Sequence, residues 1–230
     1  MKKRVLLSWS SGKDSAWALH VLRQQDEFEV VGLFTTVNQA HDRVAMHAVR
    51  RELLLLQAQR ADLPLEVIEI PDPCSNEDYE VRMAAFVARC QQRKIDCFAF
   101  GDLYLEDIRE YREQKMAGSG IDVIFPLWGI ATGALSQTMI DGGLRARLTC
   151  VDPRCLDARF AGREFDRSLL DELPADVDPC GENGEFHSFV FAGPMFDGDI
   201  DVSLGEVLER GGFVFADLLP GTRDGKTDAA

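Results

Sequence analysis

The residues best equipped for chemistry stand near the start of the chain, in Ser8-Trp9-Ser10-Ser11-Gly12-Lys13-Asp14-Ser15. An apolar run, Arg4–Ser8, reads as a strand entering them, and an amphipathic pattern, Asp14–Gln25, reads as a helix leaving them. Small residues and backbone N–H groups are thereby set at a helix N-terminus, where unpaired amides and the helix dipole favour an anion. Gly12 lets a ligand come close to the backbone, Ser10, Ser11 and Ser15 add hydroxyl donors, and Lys13 adds a point charge suited to polyphosphate. Asp14 either helps to hold Mg²⁺ or caps the helix. Two familiar phosphate loops do not fit. A Walker A loop needs Gly where Leu7 stands and Ser or Thr where Asp14 stands, and the Gly-x-Gly-x-x-Gly spacing of dinucleotide folds is absent.

Three further places carry candidate groups. Phe98-Ala99-Phe100 followed by Gly101-Asp102 sets a glycine and a carboxylate at the carboxyl edge of a sheet, where open α/β folds bind ligands. Asp102 there serves Mg²⁺ or a ribose, or else only a turn. His47 either approaches a nucleotide or is a packing or surface histidine. Glu182, Glu185 and His187 lie within one short glycine-containing loop and strand start, Gly181-Glu182-Asn183-Gly184-Glu185-Phe186-His187. Two carboxylates and an imidazole suit general acid–base work or ammonium binding, and the plainer alternative is an acidic turn entering an edge strand. Cys180 beside them lacks an identified base and reads as a small apolar filler.

The elements that must position these groups are legible as alternating apolar runs and helical patterns, the sequence form of a parallel sheet built from βαβ units. Strands are predicted at Arg4–Ser8, Glu29–Thr35, Leu65–Ile70, Cys97–Gly101 and Val123–Phe125, and helices at Asp14–Gln25, Val44–Ala61, Asn76–Arg93 and Leu105–Ser119. After Pro126 the texture changes: a helix at Thr132–Ile140 is followed by strand-like runs at Arg145–Val151, His187–Ala192 and Phe213–Ala216. The boundary expected near 126 divides a nucleotide-binding domain, 1–126, from a smaller one, 127–221, with a polar tail at 222–230. The Asp-, Pro- and Gly-rich segment Leu173–Gly184 is a candidate site loop.

Bulk properties narrow the function classes. A net charge of -14, from 39 acidic against 25 basic residues, repels nucleic-acid backbones. The arginines at 43, 50, 51 and 60 fall at the spacing of a solvated helical face. Six cysteines without a Cys-x-x-Cys pair suit reduced thiols in the cytoplasm rather than zinc. The basic start Met1-Lys2-Lys3-Arg4 is followed by an apolar run that fails at Ser8, short of the roughly 7–15 residues of a signal peptide. No apolar run approaches the roughly 18 residues of a membrane span.

The loop Ser10–Ser15 resembles the PP-loop, Ser-Gly-Gly-Lys-Asp-Ser, of the ATP pyrophosphatases that form adenylates, departing at Ser11 where the family usually has Gly. Further segments look like diphthine–ammonia ligase and its bacterial relatives: Val37–His47, Phe100-Gly101-Asp102-Leu103 with Arg109, Leu127-Trp128, and Gly181–His187. The resemblance implies an α/β, HUP-like (Rossmann-like) parallel-sheet domain with a smaller C-terminal α+β domain. It implies ATP and Mg²⁺ as cofactors, with Ser10, Ser11, Gly12, Lys13, Asp14, Ser15, His47, Gly101 and Asp102 toward the nucleotide, and Asp14 and Asp102 toward the metal. Lys13, Asp14, Glu182 and Glu185 are the implied catalytic set. The implied reaction adenylates a carboxylate, releases pyrophosphate and transfers ammonia to the acyl group. The partners expected are ATP or AMP, ammonium and a carboxylate acceptor, small molecule or protein side chain, with a homodimer as one admissible assembly and no membrane or nucleic acid. Asn38–Met46 and Cys180–His187 look like the bacterial branch of the family, and diphthamide belongs to archaeal and eukaryotic elongation factors, so an acceptor other than diphthine is implied. Another PP-loop adenylating enzyme, such as a tRNA-modifying one, and a sensor that holds ATP or AMP without turnover stay open as alternatives.

Overall fold

The computed structural model describes residues 1–38, 43–44, 49–71 and 74–221. Its first sheet contains β1 (Lys3–Ser8), β2 (Phe28–Asn38), β3 (Arg43–Val44), β4 (Leu65–Ile70), β5 (Cys97–Ala99) and β6 (Asp122–Ile124). Five of these run parallel in the order β4-β2-β1-β5-β6. The central pair, β1 and β5, is buried through its middle, which is why Val5-Leu6-Leu7 and Cys97-Phe98-Ala99 are unbroken apolar runs rather than alternating ones. Helices α1 (Lys13–Arg23), α2 (Arg51–Arg60), α3 (Asn76–Gln92) and α4 (Glu106–Met116) make the crossovers. On one face Phe34 packs its ring against Phe86 and Phe98, with centroids 5.0 and 5.1 Å away.

The helix expected from Val44 starts at Arg51 instead. Val44 pairs antiparallel with Val37 and Arg43 with Asn38, so their backbone bonds go to the sheet, and Arg50 is still extended at φ -62°, ψ 138° before the helix begins.

Beyond β6, α5 (Thr132–Asp141) leads into a second, antiparallel sheet of β7 (Arg145–Val151), β8 (Phe186–Ala192), β9 (Val202–Arg210) and β10 (Phe213–Pro220), ordered β8-β7-β10-β9. The short helix α6 (Arg167–Glu172) precedes the loop that carries Glu182. The sequence pattern predicts no strand at Val202–Arg210 (β9) and ends the last one, β10, at Ala216, four residues short of Pro220. These two strands form a hairpin across Gly211-Gly212, whose φ values of 60° and 81° are the left-handed pair that a two-residue turn requires. One continuous apolar core joins both sheets, from Leu7, Trp17 and Leu53 to Leu148, Phe189 and Met195.

Candidate active site

The loop between β1 and α1 is built around an unusual backbone. Ser11 has φ 70°, a left-handed conformation that costs an L-residue with a Cβ more than it costs glycine. It is completely buried, and its hydroxyl is one of the buried polar atoms without a hydrogen-bond partner among the described residues. Its carbonyl is held twice, by Gln57 Nε2 at 3.0 Å and by the Val190 N–H of β8 at 3.0 Å. The other serines close the loop on itself: Ser10 Oγ lies 3.1 Å from Ser15 Oγ and accepts from the Gly12 N–H at 3.3 Å. Gly12 stands at the N-cap of α1 and, having no side chain, supplies no side-chain cap. Gly101, at the end of β5, abuts this helix start so closely that a Cβ would lie 2.9 Å from Asp14 C and Ser15 N.

Lys13 is buried where the two sheets meet. Its ammonium donates to both Asp14 oxygens, at 2.8 and 3.1 Å, and to the carbonyl of Cys180, with the Phe165 and Phe186 rings 5.8 and 5.4 Å away. Its backbone N–H donates to Ser188 Oγ of β8 at 3.2 Å. Burial alone would lower the Lys13 pKa, but the Asp14 carboxylate and neighbouring negative groups outweigh it and hold the ammonium above its ordinary value.

Glu182 faces the same charges from the other side. One oxygen accepts from the Leu103 N–H at 2.7 Å, which ties the candidate loop to the residue after Asp102. Burial pushes its carboxyl up to about 7; Asp14 and Asp102 add to the rise, against the Leu103 hydrogen bond and Lys13. Glu185 does a different job: it is buried and accepts from Asp178 N, Asn183 N and Asn183 Nδ2 at 3.0, 3.0 and 2.9 Å, which fixes the shape of the loop. Asp178, not singled out from sequence, accepts from Cys180 N and Glu182 N and from Thr132 Oγ1 at 2.6 Å. Its signal was the Asp-Pro start of a turn, Asp178-Pro179. Asp102 is held in a two-point pair by Arg112, at 2.6 and 3.0 Å, and the guanidinium lies 4.1 Å from the Phe100 ring. The Cys180 thiol is pushed up to about 12 by burial, far from thiolate character. His47 lies outside the described residues.

Beside the loop opens a cavity of about 790 Å³ at the carboxyl ends of β1, β2 and β5. Ser10 and Thr35 line its sheet side, Met83 and Phe100 are among its apolar walls, and Arg112 and Lys115 reach it as ion pairs with Asp102 and Glu80. His187 also lines it, and burial, then Lys13, pushes its imidazole down to about 4, so the ring is neutral at pH 7. The lining of the cavity mixes polar and apolar side chains, and it meets the loop at Ser8, Trp9 and Ser10. Among the described residues no group of three or more His, Cys, Asp or Glu side chains is placed to hold a metal ion.

Residues 1–122 match the diphthamide synthase N-terminal domain, and residues 131–214 match the diphthamide synthase C-terminal domain. No curated protein matches the sequence.

Proposed function

Because the chain belongs to the diphthamide synthase family, whose N- and C-terminal domain models it matches over residues 1–122 and 131–214, we propose that it is an ATP-dependent amide-forming ligase: it adenylates a carboxylate with release of pyrophosphate and transfers ammonia to the acyl group. The observation that carries this reading is the position of Lys13, which joins the phosphate-type loop to the Glu182 loop through Asp14 and the Cys180 carbonyl. ATP is the substrate that the cavity and loop suit. The Gly12 N–H, the Ser10 and Ser15 hydroxyls and the Lys13 ammonium are the groups proposed to stabilise charge on the departing pyrophosphate, the Ser11 hydroxyl being completely buried and the Lys13 N–H taken by Ser188. Gly101 lets β5 reach the helix start, so that Asp102 stands beside it. Mg²⁺, when bound, would neutralise phosphate charge; Asp14 and Asp102 are its proposed protein contacts, Asp102 by giving up Arg112.

Glu182, with a carboxyl near 7, is proposed to take the proton from ammonium so that the nitrogen lone pair is free to attack. Glu185 holds the loop that presents it. The division of labour proposed is nucleotide activation by residues 1–126 and acceptor choice by residues 127–221, with the acceptor a carboxylate other than diphthine. A second reading, a sensor that keeps ATP or AMP without turnover, is favoured by the Lys13–Asp14 pair, which satisfies the lysine without any phosphate.

The test is incubation with ATP, Mg²⁺ and ammonium plus fractions of cell extract. AMP and pyrophosphate in equal amounts, lost in Lys13→Ala, are expected. ADP and phosphate would overturn adenylation, and tight ATP binding with no product from any fraction would favour the sensor.

A further inference from the structure

Gln57, on α2, has no place in the chemistry above, yet it is completely buried and spends its whole amide on three partners. Its Oε1 accepts from Trp9 Nε1 at 2.9 Å, and its Nε2 donates to the Ser11 carbonyl at 3.0 Å and to the Val190 carbonyl at 2.7 Å. The orientation is dictated by the partners, because an indole N–H only donates and backbone carbonyls only accept. Glutamine is therefore the side chain that fits: a glutamate would set an oxygen against two carbonyls, and an aliphatic chain would strand a buried indole N–H and a buried carbonyl.

We infer that Gln57 is a positioning residue that aims the phosphate-binding amide of Gly12. The C=O and N–H of a trans peptide point in opposite directions. Fixing the Ser11 carbonyl toward Gln57 and Val190 turns the Gly12 N–H to the other side, where it meets Ser10 Oγ at 3.3 Å at the edge of the cavity. The same contacts hold Ser11 at its left-handed φ of 70°, which a serine leaves readily when unsupported. Because Gln57 bonds both to Ser11 and to Val190 of β8, the amide is aimed only while the second sheet is docked on the first.

This inference rests on the nucleotide reading, and its test separates the two. The affinities of the full chain for ATP and for adenosine are measured by calorimetry, for the unmodified protein, Gln57→Met, and Gln57→Met with Ser11→Gly. Adenosine uses the cavity without the phosphate amide, so Gln57→Met is expected to weaken ATP roughly tenfold and leave adenosine unchanged. Ser11→Gly removes the steric penalty of the left-handed backbone and is expected to restore part of the ATP affinity. If Gln57→Met does not fold, Gln57→Asn, one carbon too short to span all three partners, is read in the same way. Unchanged ATP affinity, or an equal loss for adenosine, would overturn the role of Gln57 while leaving nucleotide binding intact. An unmodified chain that binds no ATP would overturn both.

Discussion

Ser11 carries two local costs: a side chain in left-handed backbone, and a buried hydroxyl without a partner among the described residues. Ser11→Gly relieves both, against a gain in unfolded-chain entropy, and is expected to stabilise the protein by about 1 kcal/mol. A thermal melt would then rise by roughly 2–4 °C, and a fall would show that the serine hydroxyl is stabilising as it stands. Glu182 has the opposite character, a carboxyl whose proton is held more tightly in the folded chain than in the unfolded one. Its folded pKa is raised from 4.5 to about 7, so its contribution favours folding at pH values below the unfolded pKa. It is lost progressively as pH rises from the ordinary value toward about 7. Denaturant unfolding at about pH 5 and about pH 8 should show a smaller loss in Glu182→Gln than in the parent. If turnover is found, its rise with pH near 7 should vanish in the same variant; an unaltered profile would remove Glu182 from the proton transfer.

At the scale of elements, the contact between the end of β5 and the start of α1 is the tightest constraint on the site. A Cβ at Gly101 would press on backbone atoms of Asp14 and Ser15 that have no rotamer to escape into. Gly101→Ala should cost about 2 kcal/mol and weaken ATP binding; a melting temperature equal to the parent's would mean that the strand end has room to shift. Most of the first sheet was legible in the sequence because a doubly covered parallel strand must be apolar on both faces, as Val5-Leu6-Leu7 and Cys97-Phe98-Ala99 are. β9 was not legible, since Leu204, Val207 and Leu208 fall at helical as well as strand spacing and lie exposed, although Gly211-Gly212 was a usable hairpin signal. Gln57 was hidden by its type. Its position four residues after Leu53 and four before Ala61, both buried, marked it as part of the inward face of α2. The phosphate-type loop itself could be read from residue types and spacing, whereas Lys13 on the Cys180 carbonyl and Glu182 on the Leu103 N–H join residues far apart in the chain.

At the scale of the whole molecule, the two sheets share one apolar core and several polar ties between the first loop and β8: Ser11 with Val190, Lys13 with Ser188, Gln57 with Val190. Neither sheet can leave without exposing that core, so calorimetry should record a single unfolding transition; two well-separated transitions would show that the halves are independent. The net charge of -14 repels polyanions in general, while Lys13 is paired with Asp14 and Arg112 with Asp102. The central claim is that a carboxylate, rather than water, attacks the α-phosphorus. It is tested most directly by running the reaction with ATP, ammonium and an active extract fraction in ¹⁸O-water and weighing the AMP formed. A carboxylate nucleophile passes its own oxygen to the phosphate, so the AMP should carry no ¹⁸O; AMP labelled from water would mark a hydrolase and contradict the account.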